Sequence, residues 1–181
     1  EGRKYEEVVL MTASLARLLR QSISNEDEVV PLAREVEYAK GYLTIQKMRY
    51  KDKLEFEIDV EPSILNIPLI KLVLQPIIEN AIYHGLKYKE SKGLLQVKGF
   101  MKDGNAVLQV IDNGVGMDEE TLSHIYDKHK VNYHSNGVGV YNVQKRLKLY
   151  YGENYGITYE SEKDVGTTAT IIIPGIQEES I

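Results

Sequence analysis

The feature that most constrains this chain is an apolar strand that ends abruptly on Asp112-Asn-Gly-Val-Gly-Met117. Residues 106–111 read as that strand. The turn Lys102-Asp-Gly-Asn105 joins it to another strand at 94–101, which is hairpin chemistry. An Asp at the end of such a strand aims its carboxylate into the space above a sheet. Gly114 and Gly116 then permit positive φ and close approach of the backbone. A plain Asn-Gly turn requires less than this.

The remaining segments supply more strands and the helices to cover them. Leu54-Glu-Phe-Glu-Ile-Asp-Val60 alternates apolar and acidic residues, as a half-buried strand does, and Pro62 ends it. Residues 69–87 read as a mostly apolar helix with Pro76 inside it, where a proline costs about 3 kcal/mol unless a kink is wanted. Residues 113–137 show no stable period and read as a loop, and a loop of that length in a compact domain is usually functional. A helix follows over 138–151, closed by Gly152, and then strands at 157–162 and 168–173 around a Gly166 turn. At the other end, Val8, Met11, Leu15, Leu18 and Leu19 mark a helix over 4–22. Pro31 opens a second helix over 31–50, with Leu32, Val36, Ala39 and Leu43 on its face. Residues 177–181 read as a tail.

Strands and helices do not alternate strictly, so the class is α+β: a two-layer α/β sandwich, one sheet covered on one face by helices. A soft boundary near residue 50 divides the leading helices, 1–50, from the sheet domain, 51–181.

Bulk properties remove several alternatives. The 181 residues suffice for one domain with a sizeable core and a helical appendage. There is no cysteine, hence no disulfide, thiol nucleophile or Cys-based zinc site. The formal net charge is −5 without a basic stripe, which argues against nucleic acid as a partner. The longest apolar stretch, 64–78, is interrupted by Asn66, Pro68, Lys71, Gln75 and Pro76 and falls short of a membrane span of ~20 residues. No signal peptide is expected at the start, which lacks Met and reads as the interior of a longer protein.

Three constellations carry chemistry. Glu79-Asn80, with His84 one turn beyond Asn80, interrupts an apolar helical run. Buried without partners, these groups would be costly. Either they face solvent or they serve a site, for an Asn carbonyl is a hard oxygen suited to Mg²⁺ and a carboxylate can orient a nucleophile or a metal-bound water. The second is Asp112, which accepts hydrogen bonds only and so suits the exocyclic amine of adenine. Gly114 and Gly116 would let the backbone approach such a flat ligand. The third is Asn136-Gly-Val-Gly-Val140, which ends the long loop and opens a helix whose backbone N–H groups can meet a phosphate. It does not match a dinucleotide fingerprint, because Asn142 stands at the last Gly position and no buried strand precedes it. Gly166-Thr-Thr168 adds a hydroxyl, while Lys128, Lys130 and Arg146 read first as solvated charge.

Taken in this order, the elements resemble the ATP-binding superfamily shared by gyrase, the MutL repair proteins, certain heat-shock chaperones and histidine kinases. The Asn-bearing helix is similar to its N box, Asp-x-Gly-x-Gly to its first glycine box and Gly-Val-Gly to its second. The resemblance narrows over Leu74-Gln-Pro-Ile-Ile-Glu-Asn-Ala-Ile-Tyr-His-Gly85, Tyr42-Leu-Thr-Ile-Gln-Lys-Met-Arg-Tyr50 and Gly139-Val-Tyr-Asn-Val-Gln-Lys-Arg-Leu147. These segments are similar to the LytS-like branch of sensor histidine kinases.

That resemblance implies a Bergerat ATP-binding fold over 51–181, with 1–50 belonging to a dimerisation region. It implies protein histidine kinase activity in a two-component system, with ATP and Mg²⁺ as cofactors. Asn80 would bind Mg²⁺, Glu79 would assist the metal or polarise the acceptor, and His84 would lie near the nucleotide. Asp112, Gly114, Gly116 and Met117 would hold adenine, and Gly137, Val138 and Gly139 the phosphates. Thr167 would touch the nucleotide and 118–136 would form a lid. The implied partners are a second copy of the chain and a response regulator. The implied location is the cytoplasmic part of a membrane-anchored protein.

One departure stands out. The branch's phosphoacceptor motif, Asn-Pro-His-Phe, is not in the chain, whose histidines are His84, His124, His129 and His134. The acceptor is therefore expected in a preceding segment. Two other readings remain: an anti-sigma-type Ser/Thr kinase, disfavoured by the leading helices, and a non-catalytic nucleotide-binding scaffold.

Overall fold

The computed structural model describes residues 28–125 and 137–175. The expected 4–22 helix with its apolar seam, the tail, His129, His134 and the lid beyond residue 125 lie outside the described residues.

Val29–Pro31 (β1) pairs antiparallel with Pro68–Ile70 (β3) in a small ribbon. The main sheet has five strands. Their spatial order is Leu54–Val60 (β2), Gly93–Lys102 (β4), Asn105–Asp112 (β5), Gly166–Pro174 (β7) and Gly156–Glu162 (β6). β2 and β4 run parallel and every other neighbouring pair antiparallel. A parallel pair needs a long crossover, and the chain between β2 and β4 supplies it as a helix.

The helices are α1 (Leu32–Tyr50), α2 (Leu74–Asn80, continued by a wider π-helical segment, Ala81–Leu86), the short α3 (Glu119–Ser123) and α4 (Gly137–Tyr151). Period-two alternation puts Leu95, Val97, Leu108, Val110, Ala169 and Ile171 on one face of the sheet. They share a single buried cluster with Leu32, Leu43, Ile78, Val143 and Leu147 of the helices. Each fully buried side chain of this kind contributes about 1.5–3 kcal/mol. The other face carries Gln96, Gln109, Thr158 and Thr170, none of them buried. The result is the two-layer α+β sandwich expected from the sequence. Helix α1 is part of the same core, so packing continues across residue 50.

The expected helix over 69–87 is the main departure. Residues 68–70 are strand, and α2 begins only at Leu74. Pro76 therefore sits in the first turn, where its missing N–H has no helical acceptor in any case. No kink is needed. The helix is started from a distance: the Glu35 carboxylate accepts hydrogen bonds from the N–H groups of Leu72 (2.9 Å), Val73 (2.9 Å) and Leu74 (3.1 Å). The expected loop over 113–137 also contains α3, whose N-cap Asp118 accepts from the Thr121 N–H at 2.8 Å.

Candidate functional site

Along β5 the buried face runs Ala106, Leu108, Val110, and the next same-face position is Asp112. Asp112 is only 6% exposed. Strand neighbours Leu95 and Thr167 flank it. The helix α2 crossover covers it, and Gly85 is the point of contact: a Cβ there would lie 2.6 Å from Asp112 Oδ1. The same oxygen accepts from the Gly114 N–H at 2.8 Å. Gly114 and Gly166 close in as well, for a Cβ at either would come within 2.6 Å of Gly85 or Asp112 atoms. Burial pushes the Asp112 carboxyl up to about 6, while the Gly114 N–H, the Lys89 ammonium and the Thr167 N–H act in the opposite direction.

The loop after Asp112 is fixed by its own bonds. Val115 N–H donates to the Gly85 carbonyl, Asp164 N–H to the Val115 carbonyl, and the Leu94 N–H to Asn113 Oδ1. Lys89 Nζ donates to the Asn113 carbonyl. Gly116 has φ +62°, and a Cβ there would overlap the Glu162 carbonyl at 1.9 Å. Only glycine fits. Met117 N–H donates to Ser161 Oγ, which also lies 2.9 Å from the Thr167 hydroxyl.

A cavity of about 590 Å³ opens above Asp112. Helix α2 and its π-helical continuation form one wall with Ile77, Asn80, Ala81, His84 and Gly85. Val110, Asp112, Tyr159, Thr167 and Ala169 form the floor, and Gly116, Met117, Thr121 and Ile125 the facing side. Asn80 lines it, and its Oδ1 is buried and receives no hydrogen bond among the described residues. His84 stands exposed at the edge, with its imidazole held below the usual range by partial burial and then by Lys87.

Asn80, His84, Asp112, Gly116, Met117 and Thr167 are thus brought to one cavity. Gly114 packs behind Asp112 and does not line it. Glu79 also lies outside the lining: it accepts from Gln75 Nε2 at 3.0 Å. On that side lies Tyr42, whose hydroxyl pKa is raised by burial first and by the Glu79 charge next. Gly137, Val138 and Gly139 open α4, whose start packs on α2 where a Cβ on Gly139 would meet Pro76 at 3.4 Å. Nothing in the sequence marks Tyr159 or Thr121 as site residues, and Gly85 and Gly166 stand out there only as neighbours of His84 and of the Thr167 hydroxyl. A glycine within an apolar helical run was the available signal for Gly85.

A family model described as "Histidine kinase-, DNA gyrase B-, and HSP90-like ATPase" matches residues 66–177, and one described as "Histidine kinase" matches residues 2–54. Sensor histidine kinase YesM of Bacillus subtilis is 30% identical over 96% of this chain, which spans 29% of that protein. Sensor protein LytS of Oceanobacillus iheyensis is 32% identical over 88% of this chain, which spans 28% of that protein. The histidine kinase domain of the blue-light activated kinase from Erythrobacter litoralis EL346 superposes with a TM-score of 0.58 at 15% identity, covering 96% of this chain and 73% of that one. That last likeness is one of fold. The family model spans more than half the chain, and the relatives run through both its parts. The chain belongs to the histidine kinase-, DNA gyrase B- and HSP90-like ATPase family, in the form carried by sensor histidine kinases.

Proposed function

We propose that the cavity binds ATP with Mg²⁺ and presents the γ-phosphoryl group for transfer to a histidine outside these 181 residues. The observation that carries this is that one cavity is lined by Asp112, a buried acceptor-only carboxylate, and by Asn80, whose buried carbonyl no donor among the described residues reaches.

Asp112 would accept from the adenine amine, with Gly114 packed behind the carboxylate, Gly116 holding the turn against the Glu162 carbonyl, and Met117 and Thr167 bordering the base. Asn80 Oδ1 is a hard oxygen and fits Mg²⁺. The ion, when bound, supplies charge neutralisation to the phosphates. Gly137, Val138 and Gly139 begin a helix of 15 residues, whose N-terminal N–H groups and dipole favour phosphate. His84 at the cavity edge would lie beside the nucleotide. Glu79 would assist the metal or polarise the acceptor only after exchanging Gln75 for the site. Transfer then depends on positioning and charge stabilisation more than on covalent chemistry by the protein.

The chain spans under a third of the length of the two relatives described, which leaves room for the acceptor histidine and a sensor region. The partners we propose are a second copy, joined through the 1–50 region, and a response regulator. No helix among the described residues is long and apolar enough to cross a membrane, so membrane attachment would come from other segments.

The test uses a chain extended to the length of its relatives and ATP labelled on the γ-phosphate. Acid-labile, base-stable label that depends on Mg²⁺ is expected. Acid-stable label on Ser or Thr would favour the anti-sigma-type alternative, and no label at all would favour a scaffold.

A further inference from the structure

Glu35 is 2% exposed, one of the few charged side chains buried in the described residues. A buried carboxylate is tolerated where hydrogen bonds satisfy it. Here three backbone donors do so, at Leu72, Val73 and Leu74, all within 3.1 Å. They lie at the turn into α2, where Leu72 holds φ +60°, an uncommon conformation for a side chain of its kind. No side chain of α2 itself or of the residue before it caps the helix. The carboxylate of α1 takes that part.

The consequence reaches the cavity along two short paths. Asn80 lies on α2, fewer than two turns beyond Leu74. Pro76, in the first turn of α2, packs against the Gly139 position at the start of α4. The family match over 2–54 contains Glu35, and the match over 66–177 contains all three donors. This buried bond set therefore ties the two matched segments together.

We propose that Glu35 is a positioning residue for the phosphate side of the site: it fixes the start of α2, and through it Asn80 and the mouth of α4, relative to α1. The proposal rests on the ATP reading given above. Asp112 is held from its own strand side, by the Gly114 N–H and the β7 neighbour Thr167, and meets the α2 crossover only at its far end, Gly85. Loss of the Glu35 bonds should therefore separate two affinities. Binding that depends on Mg²⁺ and phosphates should suffer, and binding of the adenine end should not.

The variant is Glu35→Gln in the 181-residue chain, which keeps the shape but offers one acceptor oxygen to three donors. Amide hydrogen exchange without nucleotide should speed up at 72–80 and 139–143 and remain unchanged in β5 and β7. Mg²⁺-ATP affinity should fall about tenfold or more, the range seen when a supporting partner of a metal ligand is lost. Adenosine affinity should stay within about twofold by the same argument. If Glu35→Gln does not fold, the same measurements are made with Lys51→Gly added, which relieves the φ of +53° at the far end of α1. A lower melting temperature with unchanged Mg²⁺-ATP affinity and exchange confined to 72–74 would reduce Glu35 to a structural cap and overturn the proposal. Failure of the unaltered chain to bind Mg²⁺-ATP would sink the ATP reading. The exchange data would still decide whether Glu35 holds α2 and α4 in place.

Discussion

Gly85 and Asp112 are in contact in a way that leaves no room for a side chain: a Cβ on Gly85 would sit 2.6 Å from Asp112 Oδ1. The carboxylate cannot easily turn aside, because the same oxygen accepts from the Gly114 N–H. Gly85→Ala should therefore cost about 1–3 kcal/mol of stability, as overpacking does. It should also weaken nucleotide binding by displacing Asp112. Denaturant unfolding and calorimetric ATP titration measure the two effects; an Ala variant with unchanged binding would show that the carboxylate position is not critical.

Asp112 also sets a pH dependence. Its folded-state value of about 6 lies above the ordinary 3.8. The folded protein thus holds this proton more tightly than the unfolded chain, and ionisation of Asp112 opposes stability progressively from about pH 4 to above pH 6. Ligand binding has the opposite sign, because an amine donor needs the ionised form. ATP affinity should be level above about pH 7 and fall by up to about tenfold per unit below 6. Titrations at several pH values check this, and the profile should flatten in Asp112→Asn.

Asn80 Oδ1 has no donor to lose among the described residues. Asn80→Ala should leave the melting temperature within a few degrees of its starting value, since no satisfied hydrogen bond is broken. ATP affinity in Mg²⁺ should fall to the level that the unaltered chain shows with a chelator. A variant that retained the full Mg²⁺ effect would remove Asn80 from the metal site.

Helix α1 belongs to the core, and Leu43 within it is fully buried. Leu43→Ala should cost about 2–5 kcal/mol. A chain beginning at residue 51 should lose cooperative unfolding, because it lacks Leu32, Leu43 and the Glu35 cap. Fluorescence-monitored urea unfolding of both would test this.

Local patterns made much of the fold legible. Alternation over residues 54–60 gives β2 directly, and the Lys102-Asp-Gly-Asn105 turn gives the β4–β5 hairpin. Asp112 follows by period-two counting from Val110. Misassignment came where the cause was distant. Residues 69–73 are apolar enough to extend a helix, but β1 pairs with 68–70 and Glu35, 37 residues from Leu72, sets the start of α2. Gly85 could not be placed against Asp112 from local pattern, because the contact arises from the crossover between β2 and β4. Glu79 and Asn80 differ by helical phase. Ile77 and Asn80, three residues apart, both line the cavity while Glu79 turns to Gln75, whereas Ala81 and Gly85 reach it through the π-helical segment that no local pattern marks.

The most direct test of the account is calorimetric titration of Mg²⁺-ATP into the 181-residue chain and into its Asp112→Asn variant at pH 7.5. Saturable one-to-one binding is expected in the unaltered chain, with a loss of at least about tenfold in the variant, since a buried charged acceptor is replaced by a neutral one. The variant should melt no lower, because a buried charge has been removed. Equal affinity in the two chains would contradict the placement of ATP at Asp112.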